Sequence, residues 1–210
     1  MPATVQHSCA FRLVAEALAF SLAVVSYIWV LRAVFPSSIW VYVLAALASM
    51  KQREETVSSA GLGFRALTSA LAGWKLWWLL SITATGALAW GQSFSIELLY
   101  RGLLYFLWCV LQQLVYQNMV YKRLREAFGP GWKAWIISGI LFSSVHLPNP
   151  VLVPSTLAWG MLASRLFERQ PSVPALGLLQ FLLSTVLLWL TPLRWHRNFR
   201  VGPGYFHASL

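Results

Sequence analysis

Long apolar runs alternate with short polar breaks along this chain. Because an α-helix needs about 20 mostly apolar residues to cross a bilayer, the pattern predicts membrane helices. Residues 36–38 make a tight turn, and Gly129 with Pro130 ends a helix. We expect one all-α integral membrane domain over residues 1–210, with about seven transmembrane segments at residues 11–35, 39–50, 76–90, 102–120, 135–146, 151–164 and 174–190.

The polar breaks between these segments predict on which side of the membrane each break lies. Cytoplasmic loops are enriched in Lys and Arg, so we expect residues 51–75, interpreted as a linker, and residues 122–133 in the cytoplasm. Counting the membrane segments places the C-terminal tail, residues 194–210, outside the cytoplasm. The arginines of the tail contradict that placement. Either one short segment is re-entrant, or a partner holds the tail against the charge rule.

The tail itself is too aromatic and too rich in glycine for a simple disordered end. We expect an ordered docking element that contacts either a partner or the rim of its own domain. The candidate contacts with other membrane protein subunits are Arg197, Arg200, Tyr205 and Phe206.

Composition places the chain among membrane proteins and narrows its partners. Hydrophobic residues make up 58% of it, charged residues only 10%, and its mean hydropathy is +0.62. A water-soluble core does not need that much apolar surface. The net charge of +10 is spread over short loops, which favours contact with lipid headgroups and argues against nucleic-acid binding. Neither Cys9 nor Cys109 has metal-binding or disulfide spacing.

Polar side chains inside the apolar runs are concentrated between Leu111 and His146. One run carries Gln112, Gln113, Gln117 and Asn118, and the next apolar run ends on His146. Burying an amide away from water is costly unless it is hydrogen-bonded, so such groups face a partner or a cavity.

These residues resemble the motifs of the CPBP intramembrane proteases, the group of CAAX prenyl endopeptidases and bacteriocin-processing proteins. The second motif of that family, F-x-x-x-H, is complete at Phe142 and His146. The first motif, E-E-x-x-x-R, falls on residues 112–117 with Gln112, Gln113 and Gln117 in place of both glutamates and the arginine. A third, histidine-containing motif aligns best with Gln180 and Ser184. With a short family-like segment that begins at residue 61, the resemblance covers residues 61–184.

Depth in the bilayer provides a second argument for one shared site. Gln112 lies ten residues from Lys122, His146 thirteen from Lys133, and Gln180 eleven from Arg169. At a rise of ~1.5 Å per residue, all three polar residues reach a depth of roughly 15 to 20 Å. Polar side chains from three helices at one level of an apolar slab predict a common interior site.

The substitutions indicate what this site does chemically. Intramembrane hydrolysis, as the resemblance implies it, requires a carboxylate base to activate water. A bound metal would require imidazole, thiolate or carboxylate ligands. Glutamines provide neither, so we expect no catalytic residue, no metal and no cofactor, with a lipid or pigment as the expected ligand. The leading hypothesis is an inactive relative in a bacterial inner membrane. It would be an accessory or assembly subunit of a larger complex that holds a transmembrane segment, lipid or pigment in the former substrate cleft.

A competing register keeps a catalytic base and gives the alternative hypothesis of an active endopeptidase. Glu97 and Arg101 also resemble the glutamate-arginine motif and would act with His146. However, Glu97 precedes His146 by 49 residues, whereas Gln113 precedes it by 33, which is close to the usual family spacing. Glu97 would also lie ~37 Å from Lys122 along one helix, at the opposite membrane face. A surface ion pair at i,i+4 explains Glu97 and Arg101 without catalysis.

Overall fold

The computed structural model describes residues 3–91 and 95–207, with the backbone alone for residues 3–8. This part of the chain is helical and contains no strand. In chain order the main helices are α1 (Ala3–Ser26, continued through a π-turn at Tyr27–Leu31 to Val34), α2 (Ile39–Gln52), α3 (Phe64–Gly73), α4 (Lys75–Ala89), α5 (Ile96–Tyr116), α6 (Lys122–Phe128), α7 (Trp132–Ser144), α8 (Leu152–Arg169) and α9 (Val173–Leu190). Two short helices, α10 (Leu193–His196) and α11 (Pro203–Phe206), form the tail.

Within the described part of the chain, three helical stretches are long and apolar enough to cross a membrane, as judged by length and composition. They are Cys9–Val34, Ile96–Phe128 and Val173–Leu190. Large apolar side chains also cover the outer surface: Phe11, Phe64 and Trp90 are exposed by 77%, 78% and 88%. Contiguous exposed apolar surface of this kind is rare on soluble monomers and fits contact with lipid. The described part of the chain therefore forms an all-α membrane protein, as the hydropathy pattern predicts.

The interior is built from two close helix pairs, α7 with α8 and α5 with α9. In the first pair Gly139 and Gly160 face each other, and a Cβ added to Gly160 would lie 2.9 Å from the Gly139 Cα. Small residues let membrane helices approach closely, so van der Waals contact replaces the hydrophobic effect that is missing in lipid. The core at these pairs includes Tyr116, Phe142, Trp159, Leu176 and Leu179.

A π-turn at Gln117–Tyr121 joins α5 to α6 without ending the helix, and all five of its residues are buried. A π-turn inside an α-helix changes which face the following residues present, and such turns are frequent at functional sites. The predicted fourth segment, residues 102–120, is therefore part of a longer helix that begins at Ile96 and continues to Phe128. The break at Gly129, which has φ +79°, lies where the sequence predicts it.

Two other boundaries differ from the sequence-based expectation. Residues 51–75, expected to be a linker, contain α3, because a glycine and a run of small and apolar residues from Phe64 support ten helical residues. His146, expected at the end of a helix over residues 135–146, follows the end of α7 at Ser144 and lies in a turn. The turn leads through a cis Leu147–Pro148 bond towards α8.

Candidate functional site

A cavity of about 430 Å³ lies between α1, α2, α5, α9 and the turn after α7. Most of its walls are apolar, and aromatic side chains from α1, α2 and α5 contribute to them. The cavity brings together the three residues that the sequence places at one depth, Gln112, His146 and Gln180, and it is also lined by Ser184 and Phe142. Gln113 and Gln117 do not line the cavity and are buried behind it.

The glutamines form one hydrogen-bonded amide network across α5 and α9. Gln117 Nε2 donates to Gln113 Oε1 at 2.9 Å, and Gln113 Nε2 donates to Gln180 Oε1 at 2.6 Å. Gln180 Nε2 then donates to Gln112 Oε1 at 2.8 Å. The indole nitrogen of Trp159 on α8 also donates to Gln180 Oε1, at 3.2 Å. The network thus joins three helices, and Trp159 is a member that the motif pattern did not indicate.

One end of the network is left incomplete in the protein interior. Gln117 is 0% exposed, and its Oε1 has no hydrogen-bond partner among the described residues. The neighbouring Asn118 donates to the carbonyl oxygens of Leu114 and Ala60, at 2.8 and 3.3 Å, while its own Oδ1 is unpaired. Both side chains lie on the π-turn, where the regular helical hydrogen-bond pattern is interrupted.

The imidazole of His146 is oriented by its own turn. Its Nδ1 lies 2.8 Å from the Phe142 carbonyl oxygen, and the two rings are 5.1 Å apart. Because a carbonyl oxygen only accepts hydrogen bonds, Nδ1 carries the proton and Nε2 is the acceptor of the neutral ring. Phe142 in turn packs against Tyr116 at 4.6 Å, so the complete F-x-x-x-H motif is fixed to α5.

The donor set does not fit a catalytic metal. Zinc binds thiolate, imidazole and carboxylate groups, and a stable site needs at least three of them. Here one imidazole lines the cavity together with carboxamides, hydroxyl groups and the guanidinium of Arg32. Among residues 9–91 and 95–207, no cluster of three or more His, Cys, Asp or Glu residues could hold a metal ion. The cavity therefore offers hydrogen-bond donors and acceptors and a cation, Arg32, instead of a set of metal ligands.

The competing pair, Glu97 and Arg101, lies outside the cavity. The two side chains form an exposed i,i+4 ion pair at 2.6 Å, with 70% and 74% of their surface accessible. Glu97 is in the first turn of α5, fifteen residues before Gln112 on the same helix, which separates the two by roughly 22 Å. The geometry does not bring Glu97 towards His146, and it matches a surface ion pair.

Asn149, which holds the tail that contributes Phe199 and Val201 to the cavity, is a residue that the sequence reasoning missed. Its side chain is fully buried, and Nδ2 donates to the carbonyl oxygens of His196 and Arg200 in the tail, at 2.8 and 3.0 Å. Its Oδ1 accepts from the amides of Val151 and Leu152 at the start of α8. An asparagine between two prolines resembles an ordinary turn residue, so no local signal identifies it.

Through this contact the tail packs on the rim of its own domain, one of the two arrangements expected from its composition. Gly202 donates to the Leu147 carbonyl oxygen at 2.8 Å. Phe199 and Val201 line the cavity. Arg197 lies over the ring of Tyr205 and donates to its carbonyl oxygen at 2.6 Å. Of the expected partner contacts, Arg200 and Phe206 remain exposed, whereas Arg197 and Tyr205 are half-buried against each other.

Charged residues cluster where α6 meets the loop after α2. Lys122 Nζ donates to Glu55 Oε2 at 2.7 Å, and Arg53 pairs with Glu126 at 2.5 Å. Burial acts to raise the pKa of Glu55, but the bonds from Lys122 and Ser59 outweigh it and lower that pKa below its ordinary value. Arg123, 1% exposed, contacts Glu16 on α1 at 3.0 Å. These pairs explain why charged residues continue the helix instead of ending it.

Comparison with known proteins supports the resemblance carried by the F-x-x-x-H motif. The sequence model of a protein family described as type II CAAX prenyl endopeptidase Rce1-like matches residues 72–186, more than half of the 210-residue chain. The match includes α4, the amide network and the His146 turn. No curated protein and no solved structure matches the chain.

Proposed function

We propose that this chain, which belongs to the Rce1-like family of type II CAAX prenyl endopeptidases, is a catalytically inactive member that holds a ligand in its cavity. The observation that carries the proposal is the amide network. Gln112 and Gln113 occupy the positions where the family motif has glutamates, and their amides are committed to Gln180. A carboxamide has no proton-accepting group of useful basicity, so it cannot activate water.

The cavity has the size and lining of a binding site. Ligand pockets usually measure about 300 to 1,000 Å³ and combine apolar walls with a few polar groups. Gln112, His146, Gln180 and Ser184 supply polar groups here, and the lining from α1 and α2 is mostly apolar or aromatic. We propose that the occupant is a transmembrane segment, a lipid tail or a pigment, bound by contact with these walls.

We further propose that the protein crosses the membrane several times, in a bacterial inner membrane, as an accessory or assembly subunit of a larger complex. The exposed tail residues support this role. Trp195 and Phe206 are 52% and 61% exposed although the backbone around them is held by Asn149. Exposed aromatic side chains on a fixed backbone provide contact area for another subunit at low entropic cost.

The test combines isolation and activity on one sample. The protein is purified from its native membrane in nanodiscs, co-migrating proteins and lipids are identified by mass spectrometry, and cleavage of a prenylated CAAX peptide is assayed. We expect a stoichiometric partner or ligand and no cleavage. A protein that is isolated alone and without ligand contradicts the proposal, as does cleavage that is lost in Glu97→Gln.

A control tests whether the carboxamides account for the missing activity. The double variant Gln112→Glu, Gln113→Glu restores the glutamate pair of the family motif. The proposal requires that the wild-type protein does not cleave the peptide under conditions in which an active family member cleaves it. Wild-type cleavage that equals the cleavage by the double variant would show that the carboxamides do not limit the reaction.

A further inference from the structure

The amide network has a direction, and Trp159 sets it. Carboxamide oxygen and nitrogen are hard to tell apart by shape, but an indole N–H only donates. The atom of Gln180 that lies 3.2 Å from Trp159 Nε1 must therefore be the oxygen. It follows that Gln180 presents its NH₂ group to Gln112, 2.8 Å away, and that Gln112 receives it with its oxygen.

This direction leaves a donor at the cavity. Gln112 is half-buried and lines the cavity, and its oxygen is used by Gln180. Its NH₂ group makes no hydrogen bond to any described residue. Its nitrogen is also not one of the fully buried atoms that lack a partner. The indole of Trp159 is buried and does not itself line the cavity, but it fixes the orientation of the network. As a result, Gln112 presents its N–H donors to the cavity.

His146 supplies the complementary group. Its Nδ1 proton is used by the Phe142 carbonyl oxygen, so the Nε2 lone pair is free, and the ring lines the same cavity. One uncharged donor and one uncharged acceptor thus line the same cavity. The arrangement matches a head that carries a carbonyl oxygen and an N–H together, since each half satisfies one protein group.

We infer that the cavity binds a single-chain lipid with a carboxamide head, whose carbonyl oxygen accepts from Gln112 and whose N–H donates to His146. The inference rests on the proposed function, because it names the ligand class of the same cavity. The apolar walls take the hydrocarbon chain. A carboxylate head lacks the N–H and would instead favour Arg32, an exposed cation of α1 that also lines the cavity.

The test measures binding to the full chain in nanodiscs. Radiolabelled hexadecanamide is the probe, and hexadecane, N,N-dimethylhexadecanamide and hexadecanoic acid compete with it. Interhelical hydrogen bonds in membranes are worth about 0.6 kcal/mol on average and up to about 1.7, which corresponds to about three- to fifteenfold in affinity for each bond. We expect hexadecanamide to bind about tenfold or more tightly than hexadecane, with the dimethyl amide between them.

Variants separate the head group from the fold. Gln112→Met removes the donor, and Trp159→Phe removes the group that orients the network from outside the cavity. Each should weaken hexadecanamide about threefold and leave hexadecane unchanged, which a merely structural effect would not do. Thr185→Val is the control, because Thr185 is on α9 outside the cavity and bonds the Phe181 carbonyl oxygen of its own helix. Size-exclusion profiles verify that each variant is folded.

The possible outcomes distinguish this inference from the function on which it rests. Equal affinity for hexadecanamide and hexadecane overturns the carboxamide head and leaves a lipid-holding cavity. Tighter binding of hexadecanoic acid assigns the head to Arg32 and also overturns it. Unchanged hexadecanamide affinity in Trp159→Phe refutes the directional argument. No binding of any probe contradicts the lipid ligand of the proposed function itself.

Discussion

The contribution of the amide network to stability should follow the number of hydrogen bonds that each glutamine makes. Replacing a glutamine with methionine keeps the length of the side chain and removes its hydrogen bonds. Gln112 makes one bond in the network, to Gln180. Gln113 makes two, to Gln180 and Gln117. Gln180 makes three, because it also accepts from Trp159.

The expected magnitudes form a ladder. With about 0.6 kcal/mol for each polar contact in a membrane, the losses in unfolding free energy are ~0.6 kcal/mol for Gln112→Met, ~1.2 for Gln113→Met and ~1.8 for Gln180→Met. The order is firmer than the values, because all three replacements exchange the same chemical groups. Gln112 and Gln113 do not bond each other but share Gln180 as a partner, so their double variant should show weaker coupling than Gln113 with Gln180, which should show coupling of roughly one contact.

The assay is equilibrium unfolding of the purified protein in mixed micelles, titrated with SDS and followed by tryptophan fluorescence. Thr185→Val is the matched control on α9, and it should change the free energy less than Gln180→Met does. Equal losses for the three methionine variants would refute the reasoning, as would a larger loss at Gln112 than at Gln180. Either result would mean that the glutamines act through packing and not through their hydrogen bonds.

Three further perturbations test the tail, the helix contact and the charged cluster. Asn149→Asp keeps the acceptor used by α8 but loses the donors to the tail carbonyls, so hydrogen exchange should rise first in residues 193–206. Gly177→Ala places a methyl group 2.5 Å from a side-chain carbon of α5 and should lower the thermal midpoint, whereas Gly86→Ala, with nothing within 4 Å, should not. Glu55→Gln should lower stability at pH 7, and its difference from wild type should decrease once the pH falls below 4.5, the ordinary pKa of the group. The folded-state pKa of Glu55 is lowered, so its contribution is complete above the ordinary pKa and is lost fully only below the lowered folded-state pKa.

Each of these has an outcome that would count against the structural reason. Exchange that rises uniformly along the chain in Asn149→Asp would mean that the tail is not separately held. Equal thermal midpoints for Gly177→Ala and Gly86→Ala would contradict the close approach of α5 and α9. A stability difference for Glu55→Gln that does not decrease at all as the pH falls from 7 to below 4.5 would show that the carboxylate charge is not its source.

The shared site was predictable because the rise of a helix is constant. Counting from the charged ends places Gln112, Gln180 and His146 at one depth, and the structure brings all three to one cavity. The same counting separates Glu97 from them, since it lies fifteen positions before Gln112 on one continuous helix. Local regularity carries this information, and no knowledge of the remaining chain is needed.

The burial of charged residues beyond residue 120 could not be predicted in this way. Lys122 and Arg123 indicated a solvated turn because isolated charges favour water. Their partners, Glu55 and Glu16, lie 67 and 107 positions away in the chain. Nothing in the sequence near a charge shows that a distant carboxylate will neutralise it. Asn149 was missed for the same reason, since its tail partners follow 47 and 51 positions later.

The π-turn at Gln117–Tyr121 affects how the motif should be counted in any relative. An α-helix turns by about 100° per residue, so removing one residue from the π-turn would rotate everything beyond it by that angle. The glutamines before the turn would keep their contacts, while Arg123 would turn away from Glu16. Two chains with identical glutamine motifs and one residue more or less in this segment would therefore differ in how α1 attaches to α6. The spacing of the motif residues alone would not reveal that difference, because the difference lies in the rotation of the helix beyond the π-turn.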